Sequence, residues 1–371
     1  MRSLWPAVFG LVWQFAQAQP ATPPSIVFGQ SAPLSGPAGQ LGVEMNFGAN
    51  VYFHEVNRKG GINGRRLELK VLDDRNEPRR TVDNTKRLIT EDRVFALLGY
   101  VGAATTQAAV PTLNQHGVPL VGVFSGADSF RAPNNPNIFN VRAGYLEESQ
   151  AIVRHLLTVG LTRIAVFYEN DANGQSGLLG VEGALKERGL RSVATGFVEP
   201  NGIDVAQAVK QIVPAEPQAV VMISAYGGSV SFIREIQKLA KPPSLWNVSF
   251  VGSQVLSREL DERGRGIQIS QVVPFPWNAN VPVVREYQQA MSQVNGELSF
   301  GSLEGYITAK IAVEGLRRAG KAPTRASYVA GLESMTNFDL GGYPIRFQPG
   351  NHNGSSFVDL TMMTSNQRFV R

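Results

Sequence analysis

Two stretches rich in small residues carry the clearest chemical signal in this chain. Gly99-Tyr100-Val101-Gly102-Ala103-Ala104-Thr105-Thr106-Gln107 follows one apolar run and opens a helical pattern, and Phe124-Ser125-Gly126-Ala127-Asp128 follows the next. At a helix start the first backbone amides lack intrahelical partners and are free to meet an anion. Such loops offer noncovalent capture of a small polar molecule; tight turns that simply require small residues are the competing reading. An earlier loop, Gly29 to Pro37, has the same character, and Asn170–Ser176 and Tyr226-Gly227-Gly228 end later apolar runs.

Reactive chemistry is not legible. The histidines (His54, His116, His155, His352) are scattered, and His54-Glu55 lacks the second histidine of a zinc helix. Neither G-x-S-x-G nor G-x-G-x-x-G occurs. Gly177, Gly180 and Gly183 recur in a helical pattern, which fits close packing better than a phosphate loop. Asp73-Asp74 ends an apolar run; adjacent residues of an extended chain face opposite sides, which favours capping over a paired carboxylate. No nucleophile, base and orienter assemble, so neither catalytic residue, metal nor cofactor is expected. There is no cysteine, hence no disulfide framework, no thiolate zinc site and no lipid-attachment cysteine.

The elements that must position these loops follow from patterning. Arg2, the apolar run Leu4–Phe15 and Ala16-Gln17-Ala18 read as a signal peptide over residues 1–18, cleaved before Gln19. A periplasmic, untethered product is expected. The remaining chain, roughly 350 residues, suggests two domains. Apolar content of 43% and charged content of 18% are globular. The formal charge of +5 is dispersed in short groups such as Arg65-Arg66 and Arg317-Arg318, which argues against nucleic acid as a partner.

Short near-continuous apolar runs recur at 25–28, 67–72, 94–98, 118–123, 138–142, 163–168, 193–198, 219–223 and 248–252. Runs of this kind suit strands buried on both faces of a parallel sheet. Amphipathic stripes such as Ile152-Val153-Leu156-Leu157 lie between them. The alternation predicts an α/β fold of doubly wound parallel-sheet lobes, and it runs twice, dividing near Arg142. Helices follow at 281–294, 302–319 and 325–335, then a strand pair around 343–347 and 357–362.

Three stretches together resemble a known family. Ala32-Pro33-Leu34-Ser35-Gly36-Pro37, then Val56-Asn57-Arg58-Lys59-Gly60-Gly61-Ile62-Asn63-Gly64-Arg65, then Asp73-Asp74 are similar to type I periplasmic binding proteins. Within these the chain most resembles leucine/isoleucine/valine receptors of ABC importers, over essentially its mature length. The resemblance implies two lobes joined by three crossings (25–143 with 275–349, and 144–274 with 350–371). It also implies a monomer that closes on a small-molecule ligand and delivers it to an inner-membrane ABC permease.

Carried over position by position, the implied pocket comprises Ala103, Ala104, Thr105, Ser125, Ala127, Asp128, Asn173, Tyr226 and Gln254. Ala103 and Ala127 stand where the amino-acid binders keep hydroxyls for the ligand carboxylate. Gln254 stands at the acid that meets the ammonium; Leu41 and Asn173 replace aromatics, and Tyr226 is kept. A desolvated ammonium needs a carboxylate or its equivalent. Asp128 is one candidate substitute if it points inward; pairing with Arg131 is the other reading. These losses suggest weak branched-chain amino-acid binding and a better fit for a ligand without a free ammonium. A receptor that signals instead of feeding a transporter, a secreted doubly wound enzyme and a ligand-responsive regulator are the competing classes.

Overall fold

The computed structural model describes residues 24–131 and 135–371, so the expected leader and its cleavage site lie outside the described residues. The first part of the chain runs β1 (Ile26–Ala32), α1 (Gly39–Arg58), β2 (Leu67–Asp73), α2 (Pro78–Thr90), β3 (Ala96–Leu98), α3 (Ala103–His116), β4 (Leu120–Val121) and β5 (Ile138–Phe139). These strands form a five-stranded sheet in the order β2-β1-β3-β4-β5, parallel throughout. That is the order of a doubly wound sheet, with its switch point between β1 and β3.

A second run follows: α4 (Tyr145–Thr158), β6 (Ile164–Glu169), α5 (Ala172–Lys186), β7 (Thr195–Val198), α6 (Ala206–Ile212), β8 (Ala219–Ile223), α7 (Tyr226–Ile236), β9 (Ser244–Asn247), α8 (Ser253–Leu260) and β10 (Gln268–Gln271). Its sheet contains β10-β9-β8-β6-β7, the same winding order repeated, with a switch point between β6 and β8. Fully buried Ala219–Ile223 and Ile164–Phe167 show why continuous apolar runs were needed: both sheet faces are covered.

The chain then makes α9 (Pro282–Gln293), α10 (Phe300–Ala319), α11 (Arg325–Glu333), β11 (Phe338–Asp339) and β12 (Pro344–Ile345). Helix α10 packs along α1, returning this segment to the first lobe. Last come β13 (Asp359–Met363) and β14 (Phe369–Val370), which extend the second sheet antiparallel beside β10. The chain therefore passes between the sheets three times. The passages lie side by side: the Tyr343 hydroxyl is 3.0 Å from the carbonyl oxygens of both Val141 and Val272, and Asn140 bridges to Asn353.

Several local expectations change. The first strand runs on through Gln30 and Ser31, because their buried side chains find partners: Gln30 donates to the Gly99 carbonyl and Ser31 to Asp74. The strand expected at 248–252 sits earlier, at Ser244–Asn247, and Ser249–Val251 is a tight helical turn. Segments 343–347 and 357–362 do not pair with each other; β12 pairs with β11, and β13 joins the second sheet. Strand β10 carries no apolar run in the sequence, since Gln268, Ser270 and Gln271 are polar. Gly177 and Gly180 do pack closely, because a Cβ at either would collide with Ile223 or with Ser149 and Tyr145, whereas a Cβ at Gly183 would meet open space.

Candidate functional site

The two switch points face each other across the interlobe seam, and the small-residue loops lie at their carboxyl ends. At the start of α3, Gly102 has φ +91°, and a Cβ there would lie 2.8 Å from the Thr105 hydroxyl and 3.0 Å from Asn76 Oδ1. Only glycine places the first amides of α3 in this position. Ala103 is fully buried and Ala104 half-buried. Thr105 is also buried, but its hydroxyl donates to the Val101 carbonyl at 2.6 Å, so it serves its own turn.

Ser125 reaches across the seam. Its hydroxyl donates to Asn173 Oδ1 at 2.7 Å and accepts from the Ala127 amide at 3.2 Å. The same Asn173 oxygen accepts from the Tyr145 hydroxyl at 3.1 Å. Ala127 is buried beside them. Tyr226, the first residue of α7, is half-buried, and its phenol meets the backbone of Gln40 in the opposite lobe; burial pushes its pKa up. Gln254, near the start of α8, faces α1 and has its Oε1 buried without a partner.

Asp128 departs from the inward orientation. Ala127 leads into a single tight turn, Asp128–Phe130, in which Phe130 is buried and Asp128 is left exposed. Its backbone amide donates to Ser176 Oγ in the second lobe at 3.1 Å. Among the described residues no direct ion pair joins its carboxylate to Arg131, but Arg131 is the cation acting on it, so the geometry lies nearer the Arg131 reading than an inward-pointing acid. Asp73 and Asp74 likewise bind locally. Asp73 accepts from the Leu34 and Arg75 amides, and Asp74 from Ser31, Thr81 and the Asn76 amide.

Several residues at the seam carry no local sequence signal, because their partners lie far along the chain. Asn76 donates to Asn201 Oδ1 across the mouth at 3.1 Å. Glu169, at the end of β6, accepts from the Asn201 and Ala225 amides, which fixes two loops of the second lobe; burial, with Asp171 nearby, pushes its pKa up. At the crossings, Arg142 lies 3.4 Å from both Glu304 and Glu148, bonds Ser249 and stacks over Phe124. Glu148 in turn accepts from the Ser249 amide and the Ser270 hydroxyl. Burial pushes the Glu304 carboxyl up to about 7, against the pull of Arg142.

The seam between these groups is closed. Leu41 packs where a Cβ on Gly252 would collide with it, and a cavity of about 10 Å³ remains beside Leu41, Phe124, Gly252, Phe300 and Glu304. A larger groove of about 570 Å³ lies on the outer face of the first lobe between α1, α9 and α10, away from the strand ends. Its Arg58–Glu55 and Lys310–Glu286 pairs are those of a solvated helical surface. Among the described residues no three acidic or histidine side chains form a metal cluster, and no helix is long and apolar enough to cross a membrane.

The sequence profile of the family described as periplasmic binding protein matches residues 25–368. A Leu/Ile/Val-binding protein homolog 7 from Brucella abortus (strain 2308) is 28% identical over 358 residues, spanning 91% of this chain and 88% of that protein. The crystal structure of a possible leucine/isoleucine/valine-binding protein from Rhodopirellula baltica SH 1 superposes with a TM-score of 0.91 at 33% identity, covering 95% of this chain and 98% of that one. A substrate-binding periplasmic protein from Ralstonia solanacearum gives 0.86 at 31% identity, over 93% and 99%. The chain belongs to the periplasmic binding protein family.

Proposed function

We propose that this member of the periplasmic binding protein family is the solute receptor of an ABC importer, taking a small polar ligand between its lobes and closing over it by hinge motion. The observation that carries this reading is the pair of facing switch points joined directly by Ser125 and Asn173. Ligands of open α/β sheets bind outside the strand carboxyl ends, and here two such ends share one seam. Ala103 and Ala104 at the start of α3, the Ser125–Ala127 turn, Asn173 and Tyr226 would form the contact surface. No group in it is placed as a nucleophile, so the proposed role is binding without catalysis.

The relatives' names make branched-chain amino acids the first class to test. The side chains at Ala103 and Ala127 carry no hydroxyl for a carboxylate, and hydrogen bonds to charged groups are worth about 1.5–3 kcal/mol each. Leucine, isoleucine and valine are therefore expected to bind weakly, and calorimetry on ligand-free protein measures it. The mature protein is proposed to begin at Gln19, to be a periplasmic monomer and to engage an inner-membrane permease. Native mass spectrometry of protein purified without refolding tests the central reading. A stoichiometric small-molecule adduct is expected; a bare polypeptide mass together with no response to any solute would contradict it.

A further inference from the structure

We infer that Glu44 of α1, facing Gln254 of α8, is the group that receives a cationic nitrogen of the ligand when the lobes close. This deepens the solute-receptor reading and rests on it. Several acids lie near the seam, and all but one are already engaged or turned away: Glu148 pairs with Arg142, and Asp171 accepts from the Gly174 amide. Glu304 pairs with Arg142, Glu169 accepts two backbone amides, and Asp128 is exposed. Glu44 is different. Its carboxylate accepts from the Ser299 hydroxyl at 2.9 Å and is met by the Gln40 side chain and the Gly301 backbone, all neutral donors, and among the described residues no cation stands within ion-pair distance of it. The nearest charged group acting on it is Arg258, whose guanidinium is paired with Glu297.

Glu44 and Gln254 line one interlobe groove of about 120 Å³, with Gln40, Phe47, Ser299 and the mutually paired Arg258 and Glu297 around them. Glu44 also lines the small closed cavity beside Leu41 and Phe300, so it forms the wall between the two. Against this space stand a carboxylate without a counter-ion and Gln254, whose Oε1 is buried without a partner. Both are acceptors. The unpartnered Gln254 Oε1 carries the desolvation penalty of a buried acceptor, and an ammonium with several N–H donors would relieve it while giving the Glu44 carboxylate the counter-ion it lacks. A water's share of liquid volume is about 30 Å³, so the groove has room for an amine and its first carbons, while the rest of the ligand lies along the seam. The burial that pushes the Glu44 carboxyl up is reversed when a cation arrives.

The acid missing at Gln254 is thus supplied from the opposite lobe. An acid on α1 holds the amine only once α8 has closed against it, so recognition and closure become the same event. The expectation of a ligand without a free ammonium weighed Gln254 and Asp128 alone; with Glu44 opposite Gln254, an amine-bearing ligand takes its place.

The test compares matched probes by calorimetry and thermal shift on protein freed of ligand: leucine with isocaproate, glutamine with glutaramate, and putrescine with butanediol. At least one amine-bearing member should bind ten-fold or more tighter than its amine-free counterpart. Glu44→Gln should lose that amine preference, and Gln254→Glu, which adds a second acid to the same groove, should retain or strengthen it. Circular dichroism of both variants checks that they fold. Equal binding within every pair, or equal loss of both members in Glu44→Gln, overturns the assignment while leaving the receptor reading intact. Silence across the whole panel also counts against it, and only if native mass spectrometry shows no adduct does the receptor reading fall as well.

Discussion

The seam between the lobes is held by different chemistry at its two ends. At the crossings, Arg142, Glu148, Glu304, Ser249 and Ser270 form a buried charged network in which nearly every group has a partner. At the mouth the lobes meet through a few neutral contacts, Ser125 to Asn173, Asn76 to Asn201, and Tyr226 to the backbone of Gln40. Breaking a buried ion pair leaves an uncompensated charge and costs about 3–5 kcal/mol, whereas a neutral hydrogen bond contributes about 0.5–1.5 kcal/mol net. The crossing end is therefore an axis that stays assembled, and the mouth is the end that opens. Closure needs only the small free energy by which a ligand prefers one state over the other.

The largest expected effect lies at the axis. Arg142→Met removes the cation that two buried carboxylates share, and the melting temperature should fall by the equivalent of about 3–5 kcal/mol. A variant as stable as the parent would show that the network is not what holds the crossings. Next comes Asp74, beneath the mouth, whose carboxyl burial raises to about 6. A folded-state pKa above the unfolded value means that the folded protein holds its proton more tightly. Stability from this group is present at low pH and is lost as pH rises from about 4 through 6. The shift corresponds to something on the order of 3 kcal/mol. Thermal melts of Asp74→Asn should show a flatter profile between those values; an unchanged slope would assign the pH dependence elsewhere.

Smaller effects are expected at the mouth. Ser125→Ala removes one lobe-spanning hydrogen bond and should shift the closed population several-fold toward open, about 1 kcal/mol, with little change in melting temperature. Fluorescence transfer between dyes on the two lobes reads that shift, and a large drop in melting temperature instead would make Ser125 part of the fold's support. Asn201→Ala, with only the exposed side of the mouth to lose, should shift the same readout least.

Much of this architecture is legible in the sequence because parallel strands buried on both faces need unbroken apolar runs, as at Ala219–Ile223. The loops that end those strands were legible for the same reason. What escaped detection depends on partners distant in sequence. Gln30 and Ser31 read as loop residues until Gly99 and Asp74 satisfy them. Strand β10 reads as polar because Ser270 points at Glu148, 122 positions away. Asp128 looks like a pocket acid in sequence, yet the one-turn helix that buries Phe130 faces it outward. Glu44 lies one helical turn from the aligned Leu41, and nothing local marks it until α8 is placed opposite.

Small-angle scattering tests the two-ended account most directly. Ligand-free protein, stripped and refolded, should give a radius of gyration larger than that calculated from the closed structure, because weak mouth contacts leave open forms populated. Adding back the solute recovered from the native protein should contract it to the closed value. A ligand-free curve that already matches the closed structure, and does not change at saturating solute, would contradict hinge closure.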